Sequence, residues 1–381
     1  MFPIIRCRNS LLTLLLFLLI SMLVVVGCKY KAPGSVPSLG DICYEVTCSE
    51  FLYDTASFSS CHAATITSLP GGDLVAAFFG GSWEGCNDVC IWMCHKERGA
   101  SGWSEPAVVA SGHVGDSIPH PCWNPVLYQV PGSQGELMLF YKTGIYIKDW
   151  VGHLMRSRDG GRSWTEPEPL GRYEYDQGDF SFLGAIKNKP VKVGRSIIAP
   201  SSDESIRWKI HFEVSEDGGA HWRYVHVPSA DTIVSIQPAI LKHQDGTLQA
   251  LCRTKNGYLS TTYSHDGGLS WEPERLTDIP NNNSGIDCET LSNGLFAMVY
   301  NPAGKDRGKE FGPRTPLVLA FSADGLHWHD AITLEEGEGE FSYPSVIESD
   351  GALHIVYTWN RKRIKYVRVV PSSQRQLIHP A

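Results

Sequence analysis

The chain has 381 residues, 42% hydrophobic and 19% charged, with 37 Gly and 23 Pro, which argues against a disordered or coiled-coil chain and suits many strands joined by turns. Its formal net charge of −8 argues against nucleic acid or an anionic membrane surface as a general partner, so any binding of anions has to be local.

Residues 1–28 carry Arg6 and Arg8, an apolar run from Leu11 to Val26, then Gly27 and Cys28, the layout of an export signal. Val25-Val26-Gly27-Cys28 resembles the box at which a bacterial lipoprotein signal is cut, which makes Cys28 the expected lipidation site. An uncleaved signal anchor is the alternative, because the run approaches the roughly 20 apolar residues that cross a bilayer. Both place the domain outside the cytoplasm and leave the N-terminal lipid or anchor as its only membrane contact. Residues 29–40 hold Pro, Gly and Ser without periodicity and read as a tether, so the folded domain is expected over 41–381.

Eleven cysteines less Cys7 and Cys28 leave nine, an odd number that full intramolecular pairing cannot use. Cys86, Cys90 and Cys94 are spaced four apart, and in a strand such residues share a face yet stand too far apart to chelate one ion. Buried thiols or disulfides are expected instead. No metal or other cofactor is expected, and the domain reads as a monomer.

Six strand-turn-strand units follow in chain order. They are 65–79 around Gly72, 126–141 around Gly135, 190–200 around Gly194, 238–252 around Asp245-Gly246, 290–300 around Asn293-Gly294, and 344–357 around Asp350-Gly351. Asp-Gly and Asn-Gly between apolar runs mark hairpins, because these residues tolerate the positive φ of a tight turn.

Between the hairpins lie Ser157-Arg-Asp159-Gly-Gly161-Arg-Ser-Trp164, Ser215-Glu-Asp217-Gly-Gly219-Ala-His-Trp222 and Ser264-His-Asp266-Gly-Gly268-Leu-Ser-Trp271. Ser322-Ala-Asp324-Gly-Leu-His-Trp328 is a shortened copy, and Trp103-Ser104 marks a worn one. In this Asp box, Asp and Ser bond the turn backbone and Trp packs between strands, so the box is structural. The fold expected is all-β, a six-bladed β-propeller of four-stranded antiparallel blades.

Inner strands of a propeller converge on one axial pocket, so polar residues ahead of each first strand are aimed at a ligand. These are His62, Asn124, Lys187 with Asn188, Gln237, Asn283 with Asp287, and Tyr343; the returning strands and their loops add Asp88, Lys142, Glu204, Arg253 and Arg314.

From about Cys61 to Val370 the chain resembles the sialidase superfamily, and more closely a divergent branch of predicted neuraminidases. The segments Trp123-Asn124-Pro125, Ile186 to Pro190, Pro280 to Gly285 and Arg314-Thr-Pro carry the closer likeness. In the superfamily three Arg clamp the substrate carboxylate, a Tyr with a Glu beside it attacks the anomeric carbon, and an Asp is the acid/base. The segment Gln237 to Arg253 resembles the one ending in the second clamp Arg, Pro313-Arg314-Thr315 the one with the third, and Tyr343-Pro-Ser-Val-Ile the one with the nucleophile. Asp88 falls close to the acid/base position.

Two departures stand out. His62 occupies the place of the first clamp Arg, and Gln237 that of the catalytic Glu. An amide cannot take a proton from Tyr343, which leaves Glu204, Glu213, Asp287 and His62 as candidate bases. The acidic stretch 335–340 reads as a solvated loop.

The resemblance implies an exo-acting glycoside hydrolase for a terminal acidic sugar. Tyr343 would be the nucleophile, Asp88 the acid/base, and Arg253 with Arg314 the carboxylate clamp. Two alternatives stay open. One is a polysaccharide lyase in which Tyr343 or His62 takes the proton α to a uronate carboxylate neutralised by Arg253, Arg314 and Lys142. The other is a glycan-binding propeller without catalysis.

Overall fold

A computed structural model describes residues 43–113, 118–175, 179–205, 207–306 and 308–372. The expected leader 1–28 with Cys28, and the tether 29–40, lie outside the described residues. No helix among the described residues is long and apolar enough to cross a membrane.

Strand β1 (Cys43–Phe51) precedes the first blade, which comprises β2 (Ser60–Ser68), β3 (Leu74–Gly81), β4 (Cys90–Lys96) and β5 (Ala107–Ala110). The second holds β6 (Cys122–Gln129), β7 (Leu137–Thr143), β8 (Val151–Ser157) and β9 (Glu168–Pro169). A separate hairpin of β10 (Arg172–Glu174) and β11 (Phe180–Phe182) leads into the third, β12 (Val191–Val193), β13 (Ser196–Asp203), β14 (Lys209–Ser215) and β15 (Arg223–His226). The fourth is β16 (Ser235–Lys242), β17 (Leu248–Thr254), β18 (Tyr258–Ser264) and β19 (Arg275–Pro280). The fifth is β20 (Asp287–Thr290), β21 (Phe296–Tyr300), β22 (Leu317–Ser322) and β23 (His329–Glu335). The last combines β24 (Phe341–Ser349), β25 (Ala352–Trp359) and β26 (Arg363–Ser372) with β1, so the N-terminal strand completes the C-terminal blade. All neighbouring strands within the blades are antiparallel. The chain is therefore a six-bladed propeller.

Second strands are buried along all or nearly all of their length, as in Leu74–Gly81 and Leu248–Thr254, because both blade faces are covered by neighbours. Accordingly the core lies between blades. Val75, Phe79 and Ile91 of the first blade meet Leu127, Leu139 and Met155 of the second, and Ile198 and Phe212 of the third meet Ile240 and Leu248 of the fourth. At the turn of the last hairpin Asp350 and Gly351 adopt φ of 49° and 71°, the pair of left-handed residues that lets a two-residue turn match strand twist.

The Asp boxes do what their composition predicts. Asp159 Oδ1 accepts from the backbone N–H of Arg162 at 3.0 Å and Ser163 at 2.9 Å, Ser157 Oγ accepts from Gly161 N at 2.8 Å, and Trp164 Nε1 donates to Gly161 O at 3.1 Å. Each box Trp packs on the preceding blade: Trp271 stacks on Phe212 at 3.7 Å, Trp222 meets Phe140 edge-on at 5.6 Å, and Trp103 of the worn copy meets Tyr366 at 5.2 Å. All nine described cysteines are free thiols.

Candidate functional site

Each blade entrance holds one left-handed, non-glycine residue: Ala63, Asn124, Lys187, Gln237, Asn283 and Tyr343, with φ between 42° and 66°. Backbone strain repeated once per blade around the axis is a mark of a binding site. In four blades the strand register slips there, between His62 and Thr65, Trp123 and Val126, Ile236 and Ala239, and Ser342 and Ser345. The bulge turns the local side chains toward the axis. A Cβ placed on Gly285 would lie 3.0 Å from Lys187 Cε, 3.3 Å from Gln237 Oε1 and 3.5 Å from Tyr343 Cδ1. Side chains from three blades thus meet over one glycine, and a larger residue there would press on Lys187 and Gln237.

Tyr343 is the centre of this group and is 8% exposed. Arg253 Nη1 donates to its phenolic oxygen, and the Arg253 and Arg314 guanidiniums sit 5.6 and 5.5 Å from its ring centroid. Arg253 is fixed by donating from Nε to Asn283 Oδ1 at 2.8 Å and from Nη1 to Gln237 Oε1 at 3.2 Å. Asn283 and Gln237 therefore orient the guanidinium. The His62 ring packs on Tyr343 with centroids 4.1 Å apart, and its Nδ1 pairs with Thr358 Oγ1 at 2.8 Å. Burial, then the charges of Arg361, Arg314 and Arg253, hold the His62 imidazole well below its ordinary value, so it is neutral at physiological pH.

Other predicted site residues are already bonded to groups of the protein. Lys187 Nζ donates to Asn188 Oδ1 at 3.0 Å, Ile286 O at 3.2 Å and Pro344 O at 2.6 Å, which uses all three of its protons. Burial pushes its pKa down to about 8. Asp287 is likewise bonded within the protein; it accepts from Lys189 Nζ at 3.1 Å and from Val346 N at 2.8 Å. Lys142 donates to Phe182 O and Leu183 O, both at 3.0 Å, and lines with Glu204 a cavity of about 20 Å³, room for a water but not for a sugar. Glu204 touches the site only through Gln237, whose Nε2 donates to its Oε1 at 3.0 Å, and burial raises its pKa. Glu213 accepts from Gly184 N at 2.8 Å and pairs with His211 at 3.2 Å. Asn124 is buried at its blade entrance. Asp88 is exposed, and its Oδ2 accepts from Ser82 N at 2.8 Å and Ser82 Oγ at 2.6 Å, closing the loop between β3 and β4.

The BNR repeat-like domain model matches residues 72–355. The chain belongs to that family. Comparison with curated proteins finds no match. Among solved structures, a protein of unknown function from Dyadobacter fermentans is 15% identical with a TM-score of 0.67, the alignment covering 86% of this chain and 99% of that one. The NanB sialidase from Streptococcus pneumoniae is 10% identical with a TM-score of 0.63, covering 84% and 70%. The Trypanosoma rangeli sialidase is 16% identical with a TM-score of 0.63, covering 82% of this chain and 55% of its own length. At these identities the likeness is one of fold, a sialidase-like propeller.

Two residues of this BNR propeller's site were missed from the sequence. Arg361, in the turn between β25 and β26, and Glu340 form a cluster with Arg314. Glu340 Oε1 accepts from Arg314 Nη1 and Arg361 Nε, each at 2.6 Å, and from Ser342 Oγ at 3.0 Å. The end of the acidic stretch is thus a half-buried ion pair rather than a solvated loop. A signal for Arg361 existed. Returning strands and the loops after them in the first five blades provide Asp88, Lys142, Glu204, Arg253 and Arg314, and the same place in the last blade holds Arg361.

Burial pushes the Glu340 carboxyl up, but Arg314 and Arg361 more than reverse this and leave it below its ordinary 4.5. A depressed carboxyl stabilises the fold fully above pH 4.5 and progressively less as pH falls through the folded value. The stability gap between the native protein and Glu340→Gln, followed by thermal melts from pH 7 downward, should therefore close below pH 4.5. A gap of the same size at both ends of the series would show that the ion pairs contribute nothing.

Proposed function

We propose that this propeller is an exo-acting glycoside hydrolase that removes a terminal acidic sugar from extracytoplasmic glycans. The supporting observation is the buried Tyr343, with Arg253 donating to its oxygen and Arg314 beside its ring. A neutral phenol can approach an anomeric carbon that bears a carboxylate, whereas an attacking carboxylate would be repelled. The Arg253 N–H stabilises the phenolate before attack and again as the tyrosyl bond breaks.

In the forward step the Tyr343 Oη to anomeric carbon bond forms while the bond to the aglycone oxygen breaks. The phenolic proton passes to solvent water, because His62, the one candidate base packed on the phenol ring, is held well below its ordinary pKa and its Nδ1 is paired with Thr358. The aglycone oxygen takes its proton from Asp88. Water then attacks the same carbon and gives its proton to the Asp88 carboxylate, the tyrosyl bond breaks, the phenolate takes a proton from solvent, and the free sugar acid leaves. Asp88 lies on the loop whose Glu84 binds Arg361, which supports its place at the mouth of the site.

Arg253→Ala tests the clamp. Binding of an acidic monosaccharide should weaken about tenfold or more, the scale of a charged hydrogen bond, while a neutral one is spared. Equal loss for both sugars would sink the clamp. Release of reducing sugar from acidic glycosides by the native protein is the direct test of hydrolysis.

A glycan-binding propeller without catalysis is the second reading, favoured by one observation: among the described residues no carboxylate hydrogen-bonds to the Tyr343 phenol. Binding with no released sugar would select it. The lyase reading is weakened, because Lys142 is bonded to two backbone carbonyls away from Tyr343. We further propose that the domain is held outside the cytoplasm by lipid on Cys28 or by an uncleaved anchor, as the leader pattern suggests.

A further inference from the structure

We propose that Arg361 is a specificity-determining residue of the site: it supplies a guanidinium for the carboxylate of the acidic sugar from the hairpin of the last blade, beside the place where His62 stands on the first. This rests on the glycosidase reading and extends it to a group that the resemblance does not assign.

The backbone holds Arg361 at the seam between the last and first blades. Asn360 and Arg361 are both left-handed, with φ of 53° and 56°, and Arg361 O accepts from Cys61 N at 2.9 Å, one residue before His62. Asn360 is locked in turn, its N donating to Glu340 O at 2.7 Å and its Oδ1 accepting from Glu340 N at 2.8 Å. The head is fixed as firmly. Arg361 Nε donates to Glu340 at 2.6 Å and its Nη1 to Glu84. Because Glu340 also binds Arg314, one carboxylate sets the spacing of the two guanidiniums.

Donors remain to spare. Among the described residues neither Arg314 Nη2 nor Arg361 Nη2 makes a hydrogen bond, although each guanidinium carries five N–H groups. Both line one open cleft of about 430 Å³ with Phe311, Gly312 and Glu340, a volume within the range of small-ligand sites. Charge points the same way. The three guanidiniums of Arg253, Arg314 and Arg361 have two carboxylates in direct ion-pair contact, Glu340 and Glu84, and Arg253 bonds only to neutral groups. The nearest carboxylate to Arg253, Glu204, reaches it only through Gln237, so a sugar carboxylate would meet a guanidinium not already held by a direct counter-charge.

The test uses the full chain with 4-nitrophenyl glycosides of N-acetylneuraminic acid and glucuronic acid, each against its carboxyl-reduced counterpart. For whichever acid the native protein prefers, Arg361→Gln should lower the acid-to-reduced ratio of kcat/KM by about tenfold to a hundredfold, chiefly through KM. Arg361→Lys, which keeps the charge but not the planar fork, should give an intermediate ratio and guards against a glutamine variant that fails to fold. Should Arg253→Gln collapse the ratio while both Arg361 variants preserve it, the role given to Arg361 is wrong and the glycosidase reading survives. If the native protein neither cleaves nor binds either acid in preference to its reduced form, both fall together.

Discussion

Tyr343→Phe is expected to lower turnover of an acidic glycoside by roughly a thousandfold or more, the order of loss when an enzyme is deprived of its nucleophile. The phenyl ring retains the packing against His62, whose centroid is 4.1 Å away, and remains beneath Arg314 at 5.5 Å. Binding of the sugar acid should therefore persist within a few fold. Only the phenolic oxygen and the hydrogen bond from Arg253 disappear. Steady-state kinetics and calorimetric titration of the same preparation separate the two effects. Full turnover by the variant would mean that the chemistry belongs to another group, and loss of binding in step with rate would mean that Tyr343 is a packing residue.

The second large effect is on stability. Asp287→Ala should destabilise the fold by about 3–5 kcal/mol, the range found when one partner of a buried ion pair is removed. The Asp287 side chain is 2% exposed and accepts from Lys189 at 3.1 Å and from Val346 N at 2.8 Å, tying three blades together on the axis. Without it, Lys189 keeps Glu289 at 3.1 Å and two backbone carbonyls, but it loses its most buried counter-charge. Burial alone would lower the Lys189 pKa, yet Asp287 and Glu289 raise it above its ordinary 10.5. Its contribution to stability is fully present below pH 10.5 and fades only as pH rises through the higher folded value, so the deficit of the variant should be steady from pH 6 to about 9. Urea denaturation measures it. A loss under about 1 kcal/mol would place the pair among weak, solvated ones.

The same residue illustrates what the sequence could and could not tell. Blade count, hairpin positions and Asp boxes were legible, because turn chemistry and Trp spacing act within a few residues. Tyr343, Arg253 and Arg314, named from local motifs, do come together, with the two guanidiniums 5.6 and 5.5 Å from the phenol ring centroid. Lys142, Lys187 and Asp287 bond to protein partners that the sequence did not reveal, for a shared reason. A blade entrance fixes where a Cα lies relative to the axis, but a long or buried side chain bends toward whichever carbonyl or counter-charge is nearest. That choice depends on neighbouring blades about a hundred residues away, as in the Lys187 bond to Ile286 at a separation of 99. Glu340 was hidden differently: its carboxylate partners are Arg314 and Arg361, and without them an acidic stretch looks like solvated surface.

The union of β1 with β26 has a consequence for how the molecule comes into being. Thr47 and Arg368 meet across 321 residues of chain. No growing polypeptide can fasten that clasp until nearly all of it has left the ribosome, so the earlier blades wait as an open arc with a bare flank at each end. Encounters between such distant segments are slow to form. The interval before closure is when the arc is most exposed to aggregation or proteolysis, and holding the first strand out of reach would prolong it.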